Sequence, residues 1–158
     1  MYTTADSPSY RIYQNYVIKL ENDKFEFVRR IAMTGFWFFM LIMCLLTPAM
    51  MIGFGKYFMK GGPKQINGMF GYRTPRSMKN KETWRFAHQY SGQMWHRSGL
   101  ALLPVSIVVM LFVCRKSVDV IGIAGLFIVV AQMVVMICVI PFTETALKRN
   151  FDDLGRHR

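Results

Sequence analysis

Three stretches of this chain contain no Asp, Glu, Lys or Arg, and every charge falls between or outside them. The first runs from Ile31 to Phe54, the second from about Ser98 to Cys114, the third from Val120 to about Phe142. Such segregation is the pattern of a bilayer-spanning chain, because a charge at the membrane centre costs roughly 2.5–3.5 kcal/mol. At a rise of about 1.5 Å per residue, the 24 residues of the first block cover a hydrocarbon core of roughly 30 Å. Arg29 and Arg30 mark its start, Lys56 and Lys60 its end, and Pro48 predicts a kink in its second half. Gly53, Gly55, Gly61, Gly62 and Pro63 then break the helix. The second block is short, with Trp95 at its entrance as an interfacial anchor, and the third carries one polar interruption, Gln132. Arg115 to Asp119 form a tight turn, so the last two spans make an antiparallel hairpin. From Thr143 the tail is polar and continues the helix briefly out of the membrane.

The segments between the spans divide the rest. Residues 1–30 form a polar tail with Tyr2, Tyr10, Tyr13 and Tyr16. Val17, Leu20, Phe25, Phe27 and Val28 are scattered among its charges, which suits either a helix on the membrane surface or a solvated tail. Residues 55–97 form a loop rich in Gly, Pro, basic groups and aromatics. Thr74 and Pro75 have the form of an N-cap and first helical residue, and Asn80 opens a second helix with Glu82 in its first turn. That helix passes through Trp84, Ala87, His88, Ser91 and Trp95 and merges into the second span. Its other side turns Arg85, Gln89 and Gln93 towards water or headgroups. The expected fold is an all-α membrane protein: three transmembrane helices, with an amphipathic cytoplasmic helix in the loop between the first two. Residues 31–158 form the membrane domain.

Composition narrows the function. A net charge of +11 beside 53% hydrophobic residues excludes a soluble domain once the two are segregated. Segregation also argues against nucleic acid as a partner, because such binders spread Lys and Arg over folded amphipathic elements. Nine Lys/Arg lie in residues 55–97 and four after residue 142, against five before Ile31 and two in the turn. The positive-inside rule therefore places the long loop and the C-terminus in the cytoplasm. The first apolar run is too long, and starts too late, for a secretory signal. Cys44, Cys114 and Cys138 lie in or at the ends of apolar blocks at spacings that match no zinc pattern, and read as small apolar fillers.

The loop offers little for catalysis. His88 and His96 share a helical face but have no carboxylate or thiol at ligand spacing, so no metal and no cofactor is expected. Glu82 is its only carboxylate, and Ser77, Ser91 and His88 make no nucleophile–base–acid set, so no enzyme is expected. Binding is the stronger theme. Arg73 and Arg76 present forked guanidinium groups suited to a lipid phosphate or peptide carboxylate; equally, they suit general anchoring to anionic headgroups. Asn67, Tyr72, Thr74 and Trp84 read as residues that cap helices and set the loop against the membrane, with ligand contact by one of them as the alternative. Arg85 and His88 complete the candidate ligand-binding set. Gln132 is placed to bond another helix or a second copy of the chain, whereas Gly122 and Gly125 are too close in sequence for a small-xxx-small motif. The thirteen methionines are flexible packing residues.

Asn67, the run Gly71-Tyr72-Arg73-Thr74-Pro75, Ser77, Trp84, Ala87, Tyr90 and Gly92 together resemble the motif loop of the SdpI-type bacterial immunity proteins. Glu144, Leu147, Phe151 and Asp152 are similar to that family's ending, and the order of one span, the loop and two further spans matches as well. The resemblance implies a multi-pass protein of the bacterial cytoplasmic (inner) membrane. It further implies an immunity or resistance factor that protects against a membrane-active toxin peptide. The expected partners are the lipid bilayer and a toxin peptide or anionic lipid. A scaffold holding a cytoplasmic regulator, and a lipid-handling protein or transporter, are the competing readings.

Overall fold

In a computed structural model, described from Pro8 to Arg158, the chain folds into three α-helices: α1 (Pro8–Met59), α2 (Lys81–Phe112) and α3 (Val118–Asn150). Residues 1–7, Tyr2 among them, lie outside the described residues. All three helices are long and apolar enough to cross a membrane. Their large apolar side chains turn outward along the spans, as at Leu46, Val105 and Phe127, the reverse of a water-soluble fold.

The helices differ from the expected segments in length. The 52 residues of α1 measure about 78 Å, more than twice the hydrocarbon thickness. Residues 8–30 are thus helical and run straight into the first span, because no Gly or Pro falls between Pro8 and Gly35. Residues 81–97 form the first half of α2 and merge into the second span as expected from Asn80, without a distinct amphipathic loop helix among the described residues. Asn80 starts α2 with a capping box: its side chain accepts from the Glu82 and Thr83 amides, and the Thr83 hydroxyl accepts from the Asn80 amide. The start expected at Thr74-Pro75 yields one turn, closed by Met78 N–H to Thr74 O at 3.1 Å.

Small residues let α1 and α2 approach to backbone contact. A Cβ at Gly92 would stand 2.7 Å from Met59 N and 2.8 Å from Gly55 O, and one at Gly99 would stand 2.9 Å from Pro48 O. In lipid, where helices gain nothing by hiding apolar surface, such close packing is a main source of association. Polar groups add to it. Pro48 has no N–H, so the Cys44 carbonyl four residues earlier loses its helical donor. Gln132 of α3 supplies one, with Nε2 2.9 Å from Cys44 O and 2.8 Å from Ser106 Oγ of α2. One buried amide therefore joins all three helices. Nearer the Arg115–Asp119 turn, Trp37 Nε1–H donates to Met110 O at 2.7 Å.

At the opposite end the loop between α1 and α2 meets the C-terminal tail. Past α3 the chain hooks back through an isolated bridge between Phe151 and His157. Asn80 Nδ2 donates to Gly155 O at 2.6 Å, Lys79 donates to the Asp153 carbonyl, and Arg76 pairs with the Asp153 carboxylate at 3.3 Å. The loop and the C-terminus thus form one body at one end of the bundle, as the three-span topology requires.

Candidate functional site

The loop is held by short-range bonds that its own residues dictate. Asn67 Oδ1 accepts from the Met69 and Phe70 amides at 3.1 and 2.8 Å, making an Asx turn that pushes Met69 out until 92% of it is exposed. Thr74 and Ser77 exchange side-chain and backbone bonds in both directions, and Ser77 Oγ also donates to Tyr72 O at 2.8 Å. Trp84 Nε1–H donates to Pro63 O at 2.8 Å, which fixes the start of the loop on α2.

His88 is the centre of this arrangement and is fully buried. Its Nδ1 lies 2.7 Å from Trp84 O and its Nε2 lies 3.0 Å from the Tyr72 amide. Only the neutral ring with its proton on Nδ1 satisfies both, because Nε2 must accept. Burial lowers the pKa of His88 below its usual range, partly offset by the Trp84 carbonyl. The loop comes so close to the ring that a Cβ on Gly71, whose φ is +116°, would lie 2.3 Å from Nε2. Gly71 is therefore required twice, for its left-handed backbone and for space.

Tyr72 reaches from the loop to α3. Its hydroxyl stands 3.0 Å from Ile140 O and 3.2 Å from Glu144 Oε1. Burial and the neighbouring Glu144 carboxylate both raise its pKa far above the ordinary tyrosine value, so it stays a donor. Held in this way, the loop roofs a groove of about 700 Å³ between α1 and α3. The walls are Met50, Met51 and Phe54 of α1 with Met133, Met136 and Ile140 of α3. Phe58 and Trp95 stack at the back, their ring centroids 5.7 Å apart, and Trp95 Nε1–H donates to Met136 O at 3.3 Å. Tyr72, Arg73 and Thr74 form the mouth, and Arg73 is the one charged residue among those that line the groove.

The eight candidate ligand residues are not one cluster. Tyr72, Arg73 and Thr74 border the groove, whereas Trp84 and His88 are buried behind the loop and Asn67 shapes its tip. Arg76 is turned to Asp153 of the tail, and Arg85 is exposed along Gly61. The Arg73 guanidinium donates to Gly68 O and forms no ion pair among the described residues. No group of three or more metal-ligating side chains occurs among the described residues. The groove walls on α3 escaped the sequence reading, because methionines in a span look like any other lipid-facing residues. Gly99 escaped it too, and Gly92 entered only as a motif residue, although their seven-residue spacing marks one helical face.

Residues 64–143, from within the loop to the end of the third span, match the model of the SdpI/YfhL protein family. The chain is also 34% identical over 88 residues to the uncharacterized protein YfhL of Bacillus subtilis (strain 168), covering 54% of this chain and 68% of that protein. No solved structure matches the chain. With half of its length under the family model and the motif loop inside the matched region, the chain belongs to the SdpI/YfhL protein family.

Proposed function

We propose that this chain is a membrane-embedded immunity or resistance factor that protects a bacterium against a membrane-active toxin peptide. The roofed groove is where it engages an amphipathic ligand. Family membership supports the immunity half of the reading. The observation that carries the binding half is the polarity of the groove: apolar walls from two spans, and at the mouth a guanidinium carried by the pinned loop. Arg73 supplies charge, Tyr72 and Trp95 set depth, and Arg76 keeps the tail locked to the loop. The chain works by binding and not by catalysis, from the inner membrane, with loop and tail in the cytoplasm where their basic excess belongs.

The test is survival of a sensitive bacterium expressing the chain under challenge by membrane-active peptides. The wild type should protect, and Arg73→Gln combined with Arg76→Gln should remove protection at equal membrane abundance. Unchanged protection by the double variant contradicts the assignment.

The groove also favours the lipid-handling alternative over the scaffold. A scaffold needs only the exposed face of the loop and gives no reason for an apolar cleft behind it.

A further inference from the structure

The groove opens sideways between α1 and α3 onto surfaces that themselves face outward: Met50, Phe54, Met133 and Ile140 line it and are exposed. In a bilayer such a cleft is continuous with the acyl-chain region, so its natural filling is hydrocarbon and not water. Its mouth, bordered by Tyr72, Arg73 and Thr74 of the loop, lies at the level where α1 and α2 pass out of their apolar stretches and Trp95 stands as an interfacial residue. There the Arg73 side chain is exposed and has no carboxylate partner among the described residues. The nearby Glu144 carboxylate does not line the groove and is engaged by the Tyr72 hydroxyl. Residues 55–97 hold nine Lys/Arg and one carboxylate, so the surroundings reinforce the charge of Arg73. A volume of about 700 Å³ falls within the roughly 300–1,000 Å³ usual for small-molecule sites.

We infer that the groove holds one acyl chain of an anionic phospholipid of the same leaflet, with the lipid phosphate on the Arg73 guanidinium under the motif loop. This rests on reading the groove as the ligand site, and it does not require that the ligand-bound protein confer immunity. A planar guanidinium can pair with two phosphate oxygens at once, which suits it to hold a headgroup in one register. Phe58 and Trp95 close the back and stop the chain from passing through to the other side of the bundle.

The test uses the full chain purified in mild detergent and exchanged into nanodiscs or mixed micelles containing phosphatidylglycerol or phosphatidylcholine, with bound lipid counted by native mass spectrometry. The wild type should keep one phosphatidylglycerol per chain after washing that strips surrounding lipid, and should keep phosphatidylcholine, whose phosphate charge is offset by its own choline cation, itself repelled by the basic loop, at least about tenfold less well. Arg73→Gln should weaken phosphatidylglycerol retention by about tenfold and bring the two lipids level. Met133→Trp, which fills the groove from its open wall, should abolish retention of both, and Met136→Trp serves the same purpose if that variant does not fold. Lys148→Gln, an exposed charge on the helical extension of α3, should retain lipid as the wild type does. Equal retention of the two lipids by the wild type, or retention unaffected by Arg73→Gln and the groove-filling variant, would overturn the inference. Lipid retention and toxin survival are separate readouts. Retention without protection leaves this inference standing and removes the immunity reading; protection without retention does the reverse.

Discussion

At the scale of single residues, one position decides how the loop is seated and another how closely α1 and α2 pack. His88 must be neutral, because a proton on Nε2 would point at the Tyr72 amide that Nε2 accepts from at 3.0 Å. Its pKa is lowered on folding, so between that value and the ordinary histidine value of about 6.5 the unfolded chain binds more protons than the folded one. The stabilising contribution is therefore fully present above pH 6.5 and is lost as pH falls through the lowered value. Thermal unfolding in detergent should show the wild type weakening from pH 7.5 to 5.5 by more than a His88→Phe variant does. Parallel pH profiles would show that His88 is not the group responsible. Gly92 is the second position. Its substitution by Ala places a methyl against the Met59 and Gly55 backbones, where no flexible side chain can give way, and should cost about 1–3 kcal/mol. Gly53→Ala is the matched control: nothing lies within 4 Å of a Cβ there, so the change should be neutral or slightly stabilising. Equal loss of stability in the two variants, read from the same melting curves, would sink the account of the α1–α2 contact.

At the scale of elements, Pro48 and Gln132 form a compensating pair that neither helix explains alone. Proline strips the Cys44 carbonyl of its helical donor, and the amide of Gln132 restores one from another helix. Gln132→Leu should then cost about 1 kcal/mol in the wild type, within the range of polar contacts between membrane helices. In a Pro48→Ala background the carbonyl regains its own partner, and the cost should shrink. A double-mutant cycle by unfolding in micelles tests this, and strict additivity would show that the two residues are independent. The elements also show how much a sequence discloses. The three spans were legible because charge is excluded from them, and the Asn80 start of α2 because capping has a local code. The continuity of α1 back to Pro8 was less so: charges interspersed with aromatics between residues 10 and 30 fit a helix, a surface segment or a tail equally well. Boundaries between a span and its aqueous extension leave no breaker residue to be read. The groove depends on how far α1 and α3 diverge, which is a property of the packed bundle and of no single stretch.

At the scale of the whole molecule, the two ends of the bundle are built for different things. One end carries only a short turn and the long extension of α1. The other joins the motif loop, the start of α2 and the C-terminal hook into one pinned cap, through His88, Tyr72, Asn80 and Asp153. The candidate residues inferred from the loop sorted themselves by this architecture. Arg73 borders the groove, Arg76 fastens the tail, and His88 and Trp84 hold the cap from behind. Sequence alone set Arg73 and Arg76 side by side as equals, because the Asp153 carboxylate that separates them is 77 residues away from Arg76. The central claim is that the groove under the cap, and not the basic character of the loop in general, carries the protein's action. The most direct measurement is survival under peptide challenge of cells expressing the wild type, Arg73→Gln or Met133→Trp at matched membrane levels. The account predicts protection by the wild type and its loss in both variants, one altered at the mouth and the other inside. Full protection by Met133→Trp and Arg73→Gln alike would contradict it.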